Sequence, residues 1–170
     1  DLLKALRILI PPATQSLEYK DADLLAFYEY YAINSEPWDG PAGIVAFDGR
    51  YAACTVDRNG LRPARWQLSD ERVFMIASEA GVWDLDTAHI LAKGKLGPGQ
   101  MIAADLQTGR LLDSEAIDGI NRARAPYKQW LKQGMTYLHT ELVDPNLTAA
   151  PFDASTLSGF QKLFQLTREE

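Results

Sequence analysis

Leu2, Leu3, Leu6, Leu9 and Ile10 recur at the three- and four-residue spacing that lines one face of a helix. Pro11-Pro12 closes that helix, because proline lacks an amide donor and disfavours helix at the residue before it. A second stripe, Leu24, Leu25, Phe27, Tyr28 and Tyr31, predicts a helix running to about Ile33, capped by Asp21 or Asp23. From Gly43 to Leu112 the period shortens to that of strands, predicted at 43–48, 50–57, 64–68, 72–77, 89–93, 100–105 and 110–112. Asp48-Gly49, Ser69-Asp70-Glu71, Gly97-Pro98-Gly99 and Thr108-Gly109 supply turns between them. Such short connections leave no room for crossover helices, so the strands pair mainly antiparallel. Gly43-Ile44-Val45-Ala46-Phe47 and Val73-Phe74-Met75-Ile76-Ala77 are apolar on both faces, which predicts sheets covered on both sides. The helices are few for that task, so part of the fold is expected to lie outside the sequence.

Asp113 or Ser114 can cap a third helix with Ile117, Ile120 and Ala123. Pro126 interrupts it before a short helix carrying Tyr127, Trp130 and Leu131. Gly134 opens a connector containing Pro145 and Pro151. Asp153 or Ser155 begins a last helix with Leu157, Phe160, Leu163, Phe164 and Leu166. The class is α+β, and the length suits one domain, or one domain with an appendage. Opening at Asp1 and ending just past an amphipathic run, the chain reads as a piece of a longer polypeptide.

Composition narrows the function classes. At 46% hydrophobic and 24% charged, the 170 residues are ordinary for a globular protein. A net charge of −6, with seventeen scattered Lys and Arg, argues against a nucleic-acid partner. No apolar run has the roughly 18–20 residues of a membrane span, and no signal peptide is recognisable. One cysteine, Cys54, excludes an internal disulfide and a Cys-rich metal site and suits a reducing cytosol. Asn146-Leu147-Thr148 has the form of a glycosylation acceptor, but without a secretory signal it carries no weight.

Candidate chemistry is sparse. Cys54 lies in a strongly apolar strand and reads as a buried small hydrophobe rather than an activated thiol. His89 and His139 stand fifty residues apart and make no metal-ligand pattern. Gly94, Gly97 and Gly99 lack the Walker lysine and following helix of a phosphate cradle. Asp84 and Asp86 suit solvation or helix capping. The loop Asp57-Arg58-Asn59-Gly60-Leu61-Arg62-Pro63 stands apart, too charged for a core and too specifically built for a connector. Asp57 and Arg58 suggest a charge pair or backbone caps, Gly60 a conformation closed to other residues, and Arg62-Pro63 a fixed exit. It reads as a brace in which the arginines and the glycine hold neighbouring strands, with a direct substrate contact as the alternative.

This loop resembles a late signature of class II, N-terminal-nucleophile glutamine amidotransferase domains. Ser78-Glu79-Ala80-Gly81-Val82 resembles the Ala-Ser-Glu motif that follows it, and Leu96-Gly97-Pro98-Gly99-Gln100-Met101 the next Pro-Gly turn. Glu36-Pro37-Trp38-Asp39-Gly40-Pro41-Ala42 narrows the likeness to the glutamate synthase large-subunit family. Ala125-Pro126-Tyr127 through Trp130-Leu131 resembles the exit from that amidotransferase domain, and residues 160–170 the start of the central domain. Two departures, Pro11-Pro12-Ala13-Thr14 for Pro-Glu-Ala-Trp and Gly119 where a basic residue is usual, touch no chemistry. The resemblance implies a partial αββα sandwich, with residues 1–133 in the amidotransferase domain and 134–170 as connector and first helix of the next.

It further implies a glutaminase in which an N-terminal cysteine attacks the amide of glutamine, with its α-amine as base. An Asn-Gly pair holds the oxyanion. All these groups are expected upstream of Asp1, so no catalytic residue is carried onto this chain. Trp38, Asp39, Gly40, Asp57, Arg58, Asn59, Gly60, Arg62, Pro63, Ser78 and Glu79 take supporting roles. No cofactor is expected here, although the intact enzyme implies FMN, an iron–sulfur cluster and NADPH or ferredoxin. Its partners would be the rest of the large subunit, and a small subunit or ferredoxin as electron donor. Two further readings are a non-catalytic antiparallel β module that binds a partner protein, and a hydrolase using Cys54 with His89.

Overall fold

The structure, a computed structural model, describes residues 1–13, 21–84, 86–136 and 153–164. His139, Pro145, Asn146-Leu147-Thr148, Pro151 and Leu166 lie outside the described residues. The chain divides into two compact units, Asp1–Met135 and Thr136–Glu170.

Five helices and seven strands are described: α1 (Leu2–Leu9), α2 (Ala22–Ala32), β1 (Gly43–Phe47), β2 (Tyr51–Val56), β3 (Arg65–Ser69), β4 (Phe74–Ala77), β5 (Ile90–Lys95), β6 (Met101–Asp105), β7 (Arg110–Leu112), α3 (Ser114–Arg122), α4 (Tyr127–Gly134) and α5 (Ala154–Leu163). An aspartate caps four of the helices. Asp1 accepts from Lys4 N–H, Asp21 from Asp23 and Leu24, Asp113 from Ala116, and Asp153 from Ser155 and Thr156. Each satisfies amides that the first turn leaves without an intrahelical partner.

The strands form two antiparallel sheets, sheet A in the order β1-β2-β6-β7 and sheet B in the order β4-β3-β5. At the β1–β2 turn Gly49 takes φ +92°, and Asp48 Oδ1 accepts the N–H groups of Arg50 and Tyr51. The other oxygen of Asp48 accepts from Leu2 N–H, pinning the start of α1 to the hairpin.

Alternation along β2 and β6 assigns the layers of the first unit. Tyr51 and Ala53, with Met101 and Ala103, pack against Leu3 and Leu6 of α1 and Ile117 of α3. Cys54, Val56 and Ile102 point the other way and meet Leu96, Trp66, Phe74 and Ile76 beneath sheet B. The order is therefore helices, sheet A, sheet B, in an α+β fold. Trp66 pairs with Gly94 across β3 and β5, and its ring lies where a Cβ on Gly94 would fall 2.7 Å from Nε1. A third cluster joins α2 to α4 through Leu24, Phe27, Tyr28, Tyr127 and Leu131. The edge strand β1 turns Val45 and Phe47 outward at 65% and 62% exposure. Its second apolar face is thus bare rather than covered within the described residues.

Candidate functional site

The loop predicted to matter sits at the seam of the two sheets, and its organising group is the carboxylate of Asp57. Asp57 is 2% exposed and follows directly on the buried end of β2. Its Oδ1 accepts from Asn59 N–H at 3.0 Å, and its Oδ2 from Ala42 N–H at 3.1 Å. Leu61 N–H lies 3.1 Å from both oxygens, and Arg62 N–H donates to Oδ2 at 3.3 Å. Burial pushes this acid up, but the amides of Leu61, Ala42, Arg62 and Asn59 outweigh it and hold the carboxyl below the usual range.

The backbone of Asp57 completes the brace. Its N–H donates to Ala42 O at 2.9 Å, and its carbonyl accepts from Gly60 N–H at 2.9 Å and Gly99 N–H at 2.8 Å. Gly60 has φ +65°, and a Cβ there would meet Pro98 at 3.0 Å. One aspartate thus ties together residue 42, its own loop and the Pro-Gly turn at 97–99.

This corrects the expectation that the arginines hold the strands. Arg58 pairs with Asp39 at 2.6 Å, but both side chains are exposed, and such pairs contribute little. Arg62 is exposed, and its side chain has no hydrogen bond or ion pair among the described residues. Trp38 and Asp39 are exposed on the approach to β1, where Trp38 N–H donates to Leu9 O at 2.7 Å. Gly40 takes φ +116° in open space. Asn59 and Pro63 are exposed, as are Ser78 and Glu79 in the turn after β4. The structure brings Asp39, Arg58 and the 57–63 loop together and leaves Ser78 and Glu79 outside that cluster.

A second polar cluster had no counterpart in the sequence reading. Arg7, on α1, is 1% exposed, and its Nη1 donates to Gly99 O at 2.8 Å. Its Nη2 donates to Asp118 Oδ2 at 3.1 Å; Nε lies 2.9 Å from Oδ1, close enough for an ion pair but poorly aligned for a hydrogen bond. Tyr28 OH donates to Asp118 Oδ1 at 3.1 Å. Burial pushes the Asp118 carboxyl up, against the pull of Arg7 and its hydrogen bonds, and burial likewise raises the Tyr28 phenol. Arg7 falls at the spacing of Leu3, Leu6 and Ile10, so helical periodicity could have placed it on the buried face. Ser114, weighed as a cap, instead clamps sheet A: its Oγ accepts from Met101 N–H and donates to Met101 O.

The residues weighed as a hydrolytic pair do not form one. Cys54 is 1% exposed, paired with Val45 and Ile102 in the middle of sheet A, and burial pushes its thiol up to about 11. His89 is exposed, and its Nδ1 lies 2.8 Å from Asp70 Oδ2, a contact that raises the imidazole and lowers the acid. Asp86 caps the 3-10 turn Thr87–His89 through Ala88 N–H. Among the described residues no group of three His, Cys, Asp or Glu side chains could hold a metal ion, and no helix is long and apolar enough to cross a membrane.

Residues 1–130 match the family described as class-II glutamine amidotransferases. A ferredoxin-dependent glutamate synthase of Antithamnion sp. is 38% identical over 174 residues, covering 98% of this chain and 11% of that protein. The chloroplastic ferredoxin-dependent enzyme of Oryza sativa subsp. japonica is 43% identical over 134 residues, covering 76% of this chain and 8% of its own length. The NADH glutamate synthase of Schizosaccharomyces pombe is 38% identical over 145 residues, covering 85% and 6%. The chain therefore spans about a tenth of the length of the curated relatives it matches, or less.

Proposed function

The chain belongs to the class-II glutamine amidotransferase family, and on that footing we propose that it is the later part of the glutaminase domain of a glutamate synthase. Residues 1–133 supply strands and helices of the N-terminal-nucleophile sandwich, and residues 134–170 lead into the central domain. The whole domain hydrolyses glutamine to glutamate and delivers ammonia for the reductive amination of 2-oxoglutarate. The match over residues 1–130 carries this reading. The Asp57 brace supports it by giving the signature loop a structural part. Asp57 and Gly60 fix the seam of the two sheets, against which the reacting groups are positioned.

The nucleophile is supplied by a part of the polypeptide outside these 170 residues. Support comes from the burial of Cys54, the sole cysteine, whose raised pKa keeps the thiolate scarce. An iron–sulfur cluster held by several thiolates does not fit a chain with one buried cysteine. Electrons for the whole enzyme come from NADPH, NADH or ferredoxin. A reducing compartment, the cytosol or the plastid named for the rice relative, suits a chain whose only thiol is buried.

Glutamate release from glutamine tests the proposal. The full-length polypeptide is expected to turn over, with Cys54→Ala leaving its rate unchanged, and the 170-residue chain to be inactive. Turnover by the short chain that survives Cys54→Ala would overturn the reading. The bare face of β1 favours a second reading, a β module whose edge strand docks a partner protein. A full-length polypeptide inactive towards glutamine would select it.

A further inference from the structure

A cavity of about 440 Å³ opens against both sheets of the first unit, with Leu68, Phe74 and Leu91 on one wall and Leu106 and Leu111 on the other. Its size is that of a small-molecule site. Arg72 and Arg110 also line it. Arg72 is the only non-glycine residue with positive φ among the described residues, at +63°, whereas six glycines take up such conformations elsewhere. It closes the β3–β4 turn, where its N–H donates to Ser69 O at 3.0 Å and Val73 N–H donates to Ser69 Oγ at 3.2 Å. A left-handed conformation strains a residue with a Cβ, and glycine would avoid that strain.

The Arg72 side chain crosses from sheet B to the β6–β7 turn of sheet A, where its Nη2 fills the space a Cβ on Gly109 would need. Neither guanidinium has a hydrogen bond or ion pair among the described residues. The nearby acids are engaged elsewhere. Asp105 receives Arg50 through two bonds, at 3.2 and 2.8 Å, and also accepts the N–H groups of Gln107 and Thr108. Asp70 receives His89. The cavity, open to solvent, therefore combines apolar walls with two exposed guanidiniums that have no protein partner among the described residues, and the planar fork of arginine matches a carboxylate.

We propose that this cavity binds a small carboxylate with a short unbranched apolar tail, the carboxylate held by Arg72 and Arg110 and the tail lying against Leu68, Phe74 and Leu111. The site is independent of the amidotransferase reading. It explains why an arginine occupies a turn position suited to glycine.

Calorimetric titration of the full-length polypeptide with hexanoate tests it, with hexan-1-ol as the neutral isostere. Wild type should show a saturable hexanoate site that hexan-1-ol fills at least tenfold more weakly. Arg72→Gly should weaken that site at least tenfold while leaving Tm unchanged or higher, because glycine accepts the same φ without strain. Arg110→Ala, at an exposed position without a partner, should weaken it several-fold and gives a readout should the first variant fold poorly. Equal hexanoate heats in wild type and both variants, equal affinity for hexan-1-ol, or no saturable heat in wild type would each overturn the proposal.

Discussion

Arg7 and Gly99 lie ninety-two positions apart and meet through a 2.8 Å hydrogen bond from Nη1 to the glycine carbonyl. The N–H of the same glycine donates to Asp57 O at 2.8 Å. Gly99 thus joins the two polar clusters, one beneath the helices and one at the seam of the sheets. Its φ of +65°, with Pro12 3.0 Å from where a Cβ would lie, explains why a glycine serves there.

Arg7→Met should therefore be among the most damaging single changes. It leaves the half-buried Asp118 without its cation and Gly99 O without its donor. Because one partner keeps some solvent, the loss should fall towards the lower end of the about 3–5 kcal/mol that breaking a fully buried pair costs. The double variant Arg7→Met, Asp118→Leu should recover part of that loss, because no lone charge then remains. Urea unfolding of wild type, both single variants and the double variant measures it. Strict additivity of the two single losses would contradict the coupling.

Asp57→Asn tests the seam. The native carboxyl is held below the usual range, so in acid the unfolded chain binds more protons than the native one. Its contribution is fully present above about pH 4 and fades as pH falls through the lowered native value. The variant should lose about 2 kcal/mol at pH 7, as charged hydrogen bonds become neutral ones. The gap between variant and wild type should then narrow towards pH 2–3. A gap that stays constant from pH 7 to pH 3, followed by thermal unfolding, would be contrary to this account.

Much of the fold was readable because its causes are local. The seven strands fall within a residue or two of the apolar runs, and Asp21, Asp113 and Asp153, each one of two capping candidates in the sequence, are the caps. What escaped was long-range or against type. Arg7 stands at the spacing of the apolar stripe of α1, which places it on the buried face, but its long-range partners Gly99 and Asp118 leave no local signal. Arg72 takes a conformation that turn chemistry assigns to glycine or asparagine, so the residues gave no sign of it. The loop at 57–63 stands out in the sequence by its visible charges, whereas the group that gathers its amides is the carboxylate of Asp57. A short aspartate that gathers several amides leaves no mark in the sequence distinct from an ion-pair partner.

Gly60→Ala carries two penalties at one site: a Cβ at φ +65° and an approach of 3.0 Å to the Pro98 ring and backbone. Neither neighbour can yield freely, since Pro98 adjoins the Gly99 anchor. The expected loss is about 1–3 kcal/mol. Gly81→Ala, also at positive φ but with nothing within 4 Å, isolates the conformational part. Gly60→Ala should be the more harmful by thermal unfolding, and equal losses would show that the contact with Pro98 does not matter.

Cys54 gives the sharpest test of what this chain does not do. The thiol sits in the middle of sheet A, facing the core beneath sheet B, and burial raises it to about 11. At pH 8 a native thiol of this kind should react with an aromatic disulfide reagent at least about tenfold more slowly than the same thiol in urea. Cys54→Ala should cost about 1 kcal/mol of packing, because only the sulfur is lost from a tight interior. Cys54→Ser should cost more, since its hydroxyl would need a partner that the surrounding Val56, Ala64 and Ile102 cannot give. Rapid labelling of the native protein would mean that the sheet opens readily at its centre.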